Sequence, residues 1–348
     1  MRAVTVQPGI ANSVRLDDIE EPPMSDGDVL IETVAIGVCG TDREIIEGAY
    51  GTAPPGRDRL VLGHESLGRV IDAHPASGLH RGDAVVGIVR RPDPEPCAWC
   101  AAGEWDMCRN GGYTEHGIKG LDGFARQRYR APADSLVRVA PSLGLRGVLL
   151  EPASVVAKGW EHVDRIASRA QWAPRRALVC GAGPVGLLAA LIGVQRGLEV
   201  HVIDRVPTGT KPDLVRRLGA VYHAGSLTDA AAEIDVVFEC TGAPKLLFDA
   251  MRAVAANGIV CLAGVSPGHG SVTVDAGALN NELVLENNVV FGTVNANRRH
   301  YEEAAQVLAH ADAGWLDDMM TRRVPLDRWQ EAYRPAENDV KTVLVFGE

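Results

Sequence analysis

Apolar and polar positions alternate in short runs through the first 140 or so residues, as at 28–36 and 84–89, with Gly and Pro between the runs. Period two is the signature of half-buried strands, so this stretch predicts short strands joined by turns. From residue 175 the texture changes. A strand-like segment at 177–180 leads into a glycine turn, an apolar helical run at 187–194 and a second strand at 198–204, which together make a βαβ unit. Further strand-like segments at 234–239, 259–263 and 289–291 are separated by lengths that hold helices, and the pattern predicts an open, doubly wound parallel sheet. After it, 298–310 reads as a helix and 341–346 as a last strand. Patterning alone does not tie this tail to either part.

Composition narrows the function classes. The chain has 348 residues, 46% of them apolar, enough for two domains. It holds no uninterrupted apolar run of about 18 residues and its start alternates like a strand, so the expectation is a cytoplasmic protein with no membrane partner. A formal net charge of -10 argues against nucleic acid as a partner, because tracking phosphates needs concentrated Lys and Arg. Seven unevenly spaced cysteines do not make a disulfide framework; metal ligation or burial accounts for them better.

The glycine turn has a specific form, Gly181-Ala182-Gly183-Pro184-Val185-Gly186, between a predicted strand and a predicted helix. Gly181 permits a tight turn, Gly183 lets the backbone approach a pyrophosphate, and Gly186 lets helix and strand pack closely. The helix N-terminus would then hold the phosphates. Asp204, at the end of the next strand, suits the ribose hydroxyls of NAD, while Arg205 and Lys211 could attract the extra phosphate of NADP.

Two groups of residues point to metal. Cys39, in Cys39-Gly40-Thr41-Asp42, and His64, in Gly63-His64-Glu65, are a thiolate and an imidazole suited to Zn²⁺, and Glu151 is a candidate third ligand. Spacing does not join these three; singly, Cys39 reads as a small buried residue and His64 as a satisfied structural histidine. Cys97, Cys100 and Cys108 form a metal-like spacing in a Pro-rich loop, with Asp93 or Glu95 as oxygen donors, although a metal-free lobe of reduced cysteines fits the same residues.

The order of these runs resembles that of the zinc-dependent medium-chain dehydrogenases from end to end. Within them the chain is most similar to the microbial glucose 1-dehydrogenases, through Leu62-Gly63-His64-Glu65, Val89-Arg90-Arg91-Pro92, Gly117-Ile118, Asp122-Gly123-Phe124, Ala278-Leu279 and Val294-Asn295. The resemblance implies an α/β protein: a discontinuous, β-rich, GroES-like catalytic domain at 1–160 and 296–348, and a Rossmann cofactor domain at 161–295. It implies Cys39, His64 and Glu151 as ligands of a catalytic zinc, Glu65 as a fourth or exchanging ligand, and Thr41 as the contact of the reacting hydroxyl. Glu115 and Asn295 would hold other sugar hydroxyls. Thr241, Gly242, Ala263, Val265, Thr293, Asn295 and Lys341 would add cofactor contacts. In the lobe, the family's first cysteine is here Pro94. A homo-oligomer, dimer or tetramer, is expected by the same analogy.

The implied activity is transfer of a hydride between a sugar or polyol hydroxyl and NAD(P), with glucose giving the lactone. Val89 and Val155 stand where some relatives carry polar sugar contacts, which keeps a cyclitol, a modified sugar or a secondary alcohol open as substrate. Two rivals stand beside it: a zinc-free enone or quinone reductase of the same architecture, disfavoured by the retained Cys39, His64 and Glu151, and, from another functional class, a non-enzymatic nicotinamide sensor, disfavoured by Thr41.

Overall fold

A computed structural model describes residues 1–225, 227, 233–266, 271–336 and 338–347. The chain divides into two compact units, Met1–Ser154 with Asn295–Glu348, and Val155–Val294. The sequence reading sets the first break at 160/161. The two units part at 154/155, six residues earlier within the same helix, Leu150–Ala167.

In the first unit the ten-residue strand Val29–Val38 is the organising element. Glu65–Ala73 pairs antiparallel along its length, while Arg128–Ala131 covers its first half and Thr342–Val345 its second. The last strand of the chain therefore belongs to a sheet begun at residue 29, which makes this unit discontinuous. Val4, Ile31, Ile36, Leu62, Phe124, Tyr129 and Leu344 form its core. Each such aliphatic or phenylalanine side chain contributes about 1.5–3 kcal/mol on burial.

The second unit is a six-stranded parallel sheet. Its order is Val221–Ala224, Glu199–Asp204, Arg176–Cys180, Ile234–Glu239, Val254–Leu262, Val289–Gly292. The central strands are near-continuous apolar runs, as expected where helices cover both faces. The helix Pro184–Gln195 is buried from Gly186 to Gly193, so it lacks a polar face and sits inside.

Several elements escape the sequence pattern. Val221–Ala224 is a short edge strand of mixed polarity, and Ala276–Leu285 is a helix with no buried residue. Strand Val254–Leu262 starts five residues earlier than expected, because Ala-Ala-Asn-Gly reads as a turn; Asn257 is left-handed, with φ 64°, and the pairing slips between Ile234 and Val236. No helix among the described residues is long and apolar enough to cross a membrane.

Candidate active site

The site in the first unit is built on a helix start. Cys39 is the N-cap of Gly40–Ile46, and its backbone N–H donates to the Asp42 carboxylate at 2.9 Å, closing a capping box. That bond aims the other Asp42 oxygen at His64, whose Nδ1 lies 3.4 Å away. Glu65 opens the neighbouring strand directly opposite Gly37 and forms an ion pair with the Lys341 ammonium, both groups sealed from solvent. The donor atoms of Cys39, His64 and Glu65 all lie within 4.8 Å of one another. Thr41 Oγ1 is 4.0 Å from Cys39 Sγ.

Charge in this buried group is tightly coupled. Burial alone would raise the Asp42 carboxyl, but His64, the Cys39 N–H and Lys341 outweigh it and lower it from its ordinary value. For His64, burial opposes protonation and is overcome by Asp42 and Cys39, so its pKa stands well above the usual value. Glu151, in the first turn of Leu150–Ala167, lies outside the 4.8 Å group yet within its field. Burial pushes its carboxyl up to about 7, with His64 and Lys341 opposing and Glu65 and Asp42 adding to the rise. Sulfur, imidazole and carboxylate donors in one group, the sulfur half-buried and the other two buried, fit Zn²⁺, and a carboxylate behind the imidazole is the usual support for such a ligand.

A second polar cluster in the same unit holds Glu115 and Asn295. Arg90 and Glu115 are cross-strand partners, and Arg90 donates from Nε and Nη2 to Glu115 Oε1 at 3.1 and 2.9 Å. Asn295 Nδ2 donates to the same oxygen at 2.8 Å, and its Oδ1 accepts from Ala296 N. Asn295 is left-handed, φ 61°, a conformation that asparagine tolerates better than most residues.

In the second unit the candidate cofactor residues collect at the carboxyl ends of the parallel strands. Gly181 follows Cys180 with φ 101°. Gly183 caps the helix and has open space where a Cβ would point, while a Cβ on Gly186 would lie 1.8 Å from the Gly181 carbonyl oxygen. Pro184 and Val185 begin that helix. Asp204 Oδ2 accepts from Ala182 N at 2.8 Å and from Lys211 Nζ at 3.3 Å, and its Oδ1 accepts from Arg205 N. The sealed Glu239 carboxylate accepts from Thr241 N and Gly242 N, and Glu239 O accepts from Ala263 N, so one residue fixes two adjacent turns. Val265 is 71% exposed; Thr293 is buried, its N–H on Leu262 O. Lys341, by contrast, lies in the first unit on Glu65.

The cysteine lobe brings Cys97, Cys100 and Cys108 within 4.8 Å of one another, with Asp93 Oδ2 3.9 Å from Cys108 Sγ. Backbone N–H groups of Arg109 and Cys100 hold the Cys97 thiol down at about 6. Burial pushes Cys100 up to about 11.

Sequence reasoning assigns no role to Asp42, Arg90 or Gly37. Asp42 was findable, since an acidic residue three places after a helix cap signals a capping box. Arg90 needed the strand pairing, and Gly37 needed the position of Glu65.

A glycine-fingerprint parallel sheet and a discontinuous β unit carrying a Cys–His–Glu group define a medium-chain dehydrogenase of the zinc type, an oxidoreductase acting on CH–OH. Comparison with known proteins agrees. Residues 25–141 match the alcohol dehydrogenase GroES-like domain and residues 145–346 the glucose dehydrogenase C-terminus. Glucose 1-dehydrogenase of Methanocella arvoryzae is 38% identical, covering 100% of both chains. Glucose 1-dehydrogenase 1 of Caldivirga maquilingensis is 42% identical over 99% of this chain and 98% of its own. Among solved structures, Haloferax mediterranei glucose dehydrogenase, in complex with NADP, Zn and gluconolactone, superposes with a TM-score of 0.93 at 32% identity over 100% of both chains. This chain belongs to the glucose dehydrogenase family of the zinc-type medium-chain dehydrogenases.

Proposed function

We propose that this enzyme oxidises the anomeric hydroxyl of glucose or a close pyranose to the lactone, using zinc and NAD(P). The observation that carries the reading is the group of half-buried Cys39 with buried His64 and Glu65, with Thr41 beside it and Glu151 in its field. Cys39, His64 and Glu151 hold the zinc, and Glu65, kept on Lys341, is the exchanging fourth donor. When bound, zinc supplies the positive charge that favours a developing alkoxide, and nicotinamide supplies the hydride acceptor. Asp42 orients the His64 ring and sets its tautomer. Thr41 takes the proton of the reacting hydroxyl at Oγ1 and passes it outward. Glu115 and Asn295 bind non-reacting hydroxyls.

Gly181, Gly183 and Gly186 shape the pyrophosphate cradle at the helix start. Asp204 faces the adenosine ribose. Because Lys211 offsets its charge and Arg205 follows it, the pocket accepts NADP as well as NAD, in keeping with the NADP held by the Haloferax relative. Cys97, Cys100, Cys108 and Asp93 hold a second zinc whose role is to stiffen the lobe. The enzyme assembles as a homo-oligomer through the second unit. There the edge strand Val289–Gly292 lacks an outer neighbour among the described residues, and Val284 and Leu285 are 63% and 76% exposed.

The test is turnover. Zinc-loaded protein is offered sugars, cyclitols and secondary alcohols with NAD and NADP separately, and reduced nicotinamide and metal content are followed together. Glucose oxidation abolished by chelation and restored by zinc is the expected result. Full activity after the metal is stripped would leave the zinc-free reductase class as the better reading.

A further inference from the structure

We propose that Arg90 is a positioning residue that occupies one oxygen of Glu115 and so leaves the other, Oε2, as the acceptor presented to a single substrate hydroxyl. The inference rests on the sugar-oxidising reading above. It goes further by naming what makes the site selective among sugars.

The strands Arg90–Arg91 and Thr114–His116 pair antiparallel with Arg90 opposite Glu115, which places the two side chains on the same face. Both are almost sealed, at 6% and 7% side-chain exposure. The usual contact of such a pair is a two-pronged fork, one N–H to each carboxylate oxygen. Here both prongs fall on Oε1, and Asn295 Nδ2 adds a third donor to that same atom. Oε2 takes no hydrogen bond among the described residues, and it is not among the fully enclosed atoms left without a partner. A carboxylate loaded on one side and open on the other has one direction left in which to accept.

The guanidinium cannot easily shift to release that arrangement. Its Nη1 donates to the Asp106 carbonyl at 3.0 Å, and Asp106 Oδ1 in turn accepts from Asn297 Nδ2 at 2.8 Å. The Tyr113 ring lies under it, 3.7 Å from Cζ to the ring centre. Lysine in its place would keep the charge but lose the planar fork and the stacking.

Selectivity should therefore depend on Arg90 even though it does not touch the sugar. The experiment compares kcat/KM for glucose with that for its monodeoxy analogues, 2-deoxyglucose and 3-deoxyglucose, in wild type, Arg90→Lys, Arg90→Met and Glu115→Gln, with thermal melting of each. Wild type should penalise loss of one hydroxyl by about 30-fold or more, because a site built to bond a hydroxyl leaves its own polar group unpaired when that hydroxyl is missing. In both Arg90 variants that ratio should fall to about threefold or less, with the loss on glucose mainly in KM. Glu115→Gln should keep its carbonyl oxygen towards Arg90, which can only donate, and so turn its amide N–H₂ towards the substrate; the ratio should fall there too.

If Arg90→Met does not fold, Arg90→Lys and Glu115→Gln decide the matter. Variants that lose activity on glucose and its deoxy analogues by the same factor, so that the ratio persists, would show that Arg90 only holds the strands together and overturn the inference. A wild type that oxidises no sugar would instead sink the functional reading itself, and this inference with it.

Discussion

Replacing Gly37 by alanine puts a methyl group where Glu65 keeps its carboxylate. The added Cβ would lie 2.1 Å from Glu65 Oε2, 2.9 Å from Lys341 Cε and 3.1 Å from Glu65 Cβ. Gly37 is extended, so alanine brings no backbone strain, and by restricting the unfolded chain it contributes about 0.4–1 kcal/mol of stability. Nor can the strand move aside, for it is paired on both edges, to Glu65 on one and Val343 on the other. The carboxylate must therefore leave Lys341. Both partners are at most 2% exposed, and parting a buried ion pair so that one charge stands alone costs about 3–5 kcal/mol. The net loss is about 2–4 kcal/mol, or about 5–15 °C in the melting temperature of a unit this size. Differential scanning calorimetry of Gly37→Ala, with zinc content measured on the same sample, makes the test. Gly277→Ala is the matched control, since its Cβ would meet nothing nearer than 3.6 Å and helical alanine is the better residue; it should melt at or slightly above wild type. If Gly37→Ala melts with wild type and keeps its zinc, the Glu65–Lys341 pair does not hold the site as argued.

Gly186→Ala would drive a methyl group to 1.8 Å from the Gly181 oxygen, and the resulting shift of helix against loop should weaken nicotinamide binding about 100-fold; affinity within threefold of wild type, by fluorescence titration, would refute the close-packing role. Lys211→Ala removes a cation beside Asp204, so the ratio of NADP to NAD in kcat/KM should fall about tenfold, the worth of one charge-assisted bond. Equal losses with both cofactors would place Lys211 outside cofactor choice. In metal-stripped protein, Cys97 titrates at about 6, so its alkylation by iodoacetamide should be half-maximal there, slow below that pH as the thiolate takes up a proton, and near its plateau by pH 7. Half-maximal labelling near pH 8.5, mapped by mass spectrometry, would mean that the Arg109 and Cys100 N–H groups do not stabilise this thiolate.

What the sequence shows well is what the chain settles over a few neighbouring residues. The glycine run between a strand and a helix is such a feature: the turn at Gly181, the open face at Gly183 and the tight contact at Gly186 all arise within six residues. So is the βαβ pattern from 176 to 204, where burial on both faces leaves continuous apolar runs. The helix Leu150–Ala167 is local too, yet Pro152 in its first turn hides it, although proline costs little there. Strand Val254–Leu262 fails for the opposite reason: its first half carries turn residues that only pairing with its neighbour overrides.

The candidate site is not local in this sense. Glu65 and Lys341 come from opposite ends of the chain, and Asn295 meets Glu115 across 180 positions. No spacing rule joins residues so far apart, so their association could be anticipated only through resemblance. Resemblance, however, transfers roles one residue at a time and says nothing about which residues constrain one another. It gives Glu115 and Asn295 as parallel sugar contacts, whereas in the structure the amide of Asn295 is spent partly on Glu115 Oε1. The two are therefore one device, and removing either changes what the other presents. A double-mutant cycle on them should be strongly non-additive, since each single variant already disturbs both contacts.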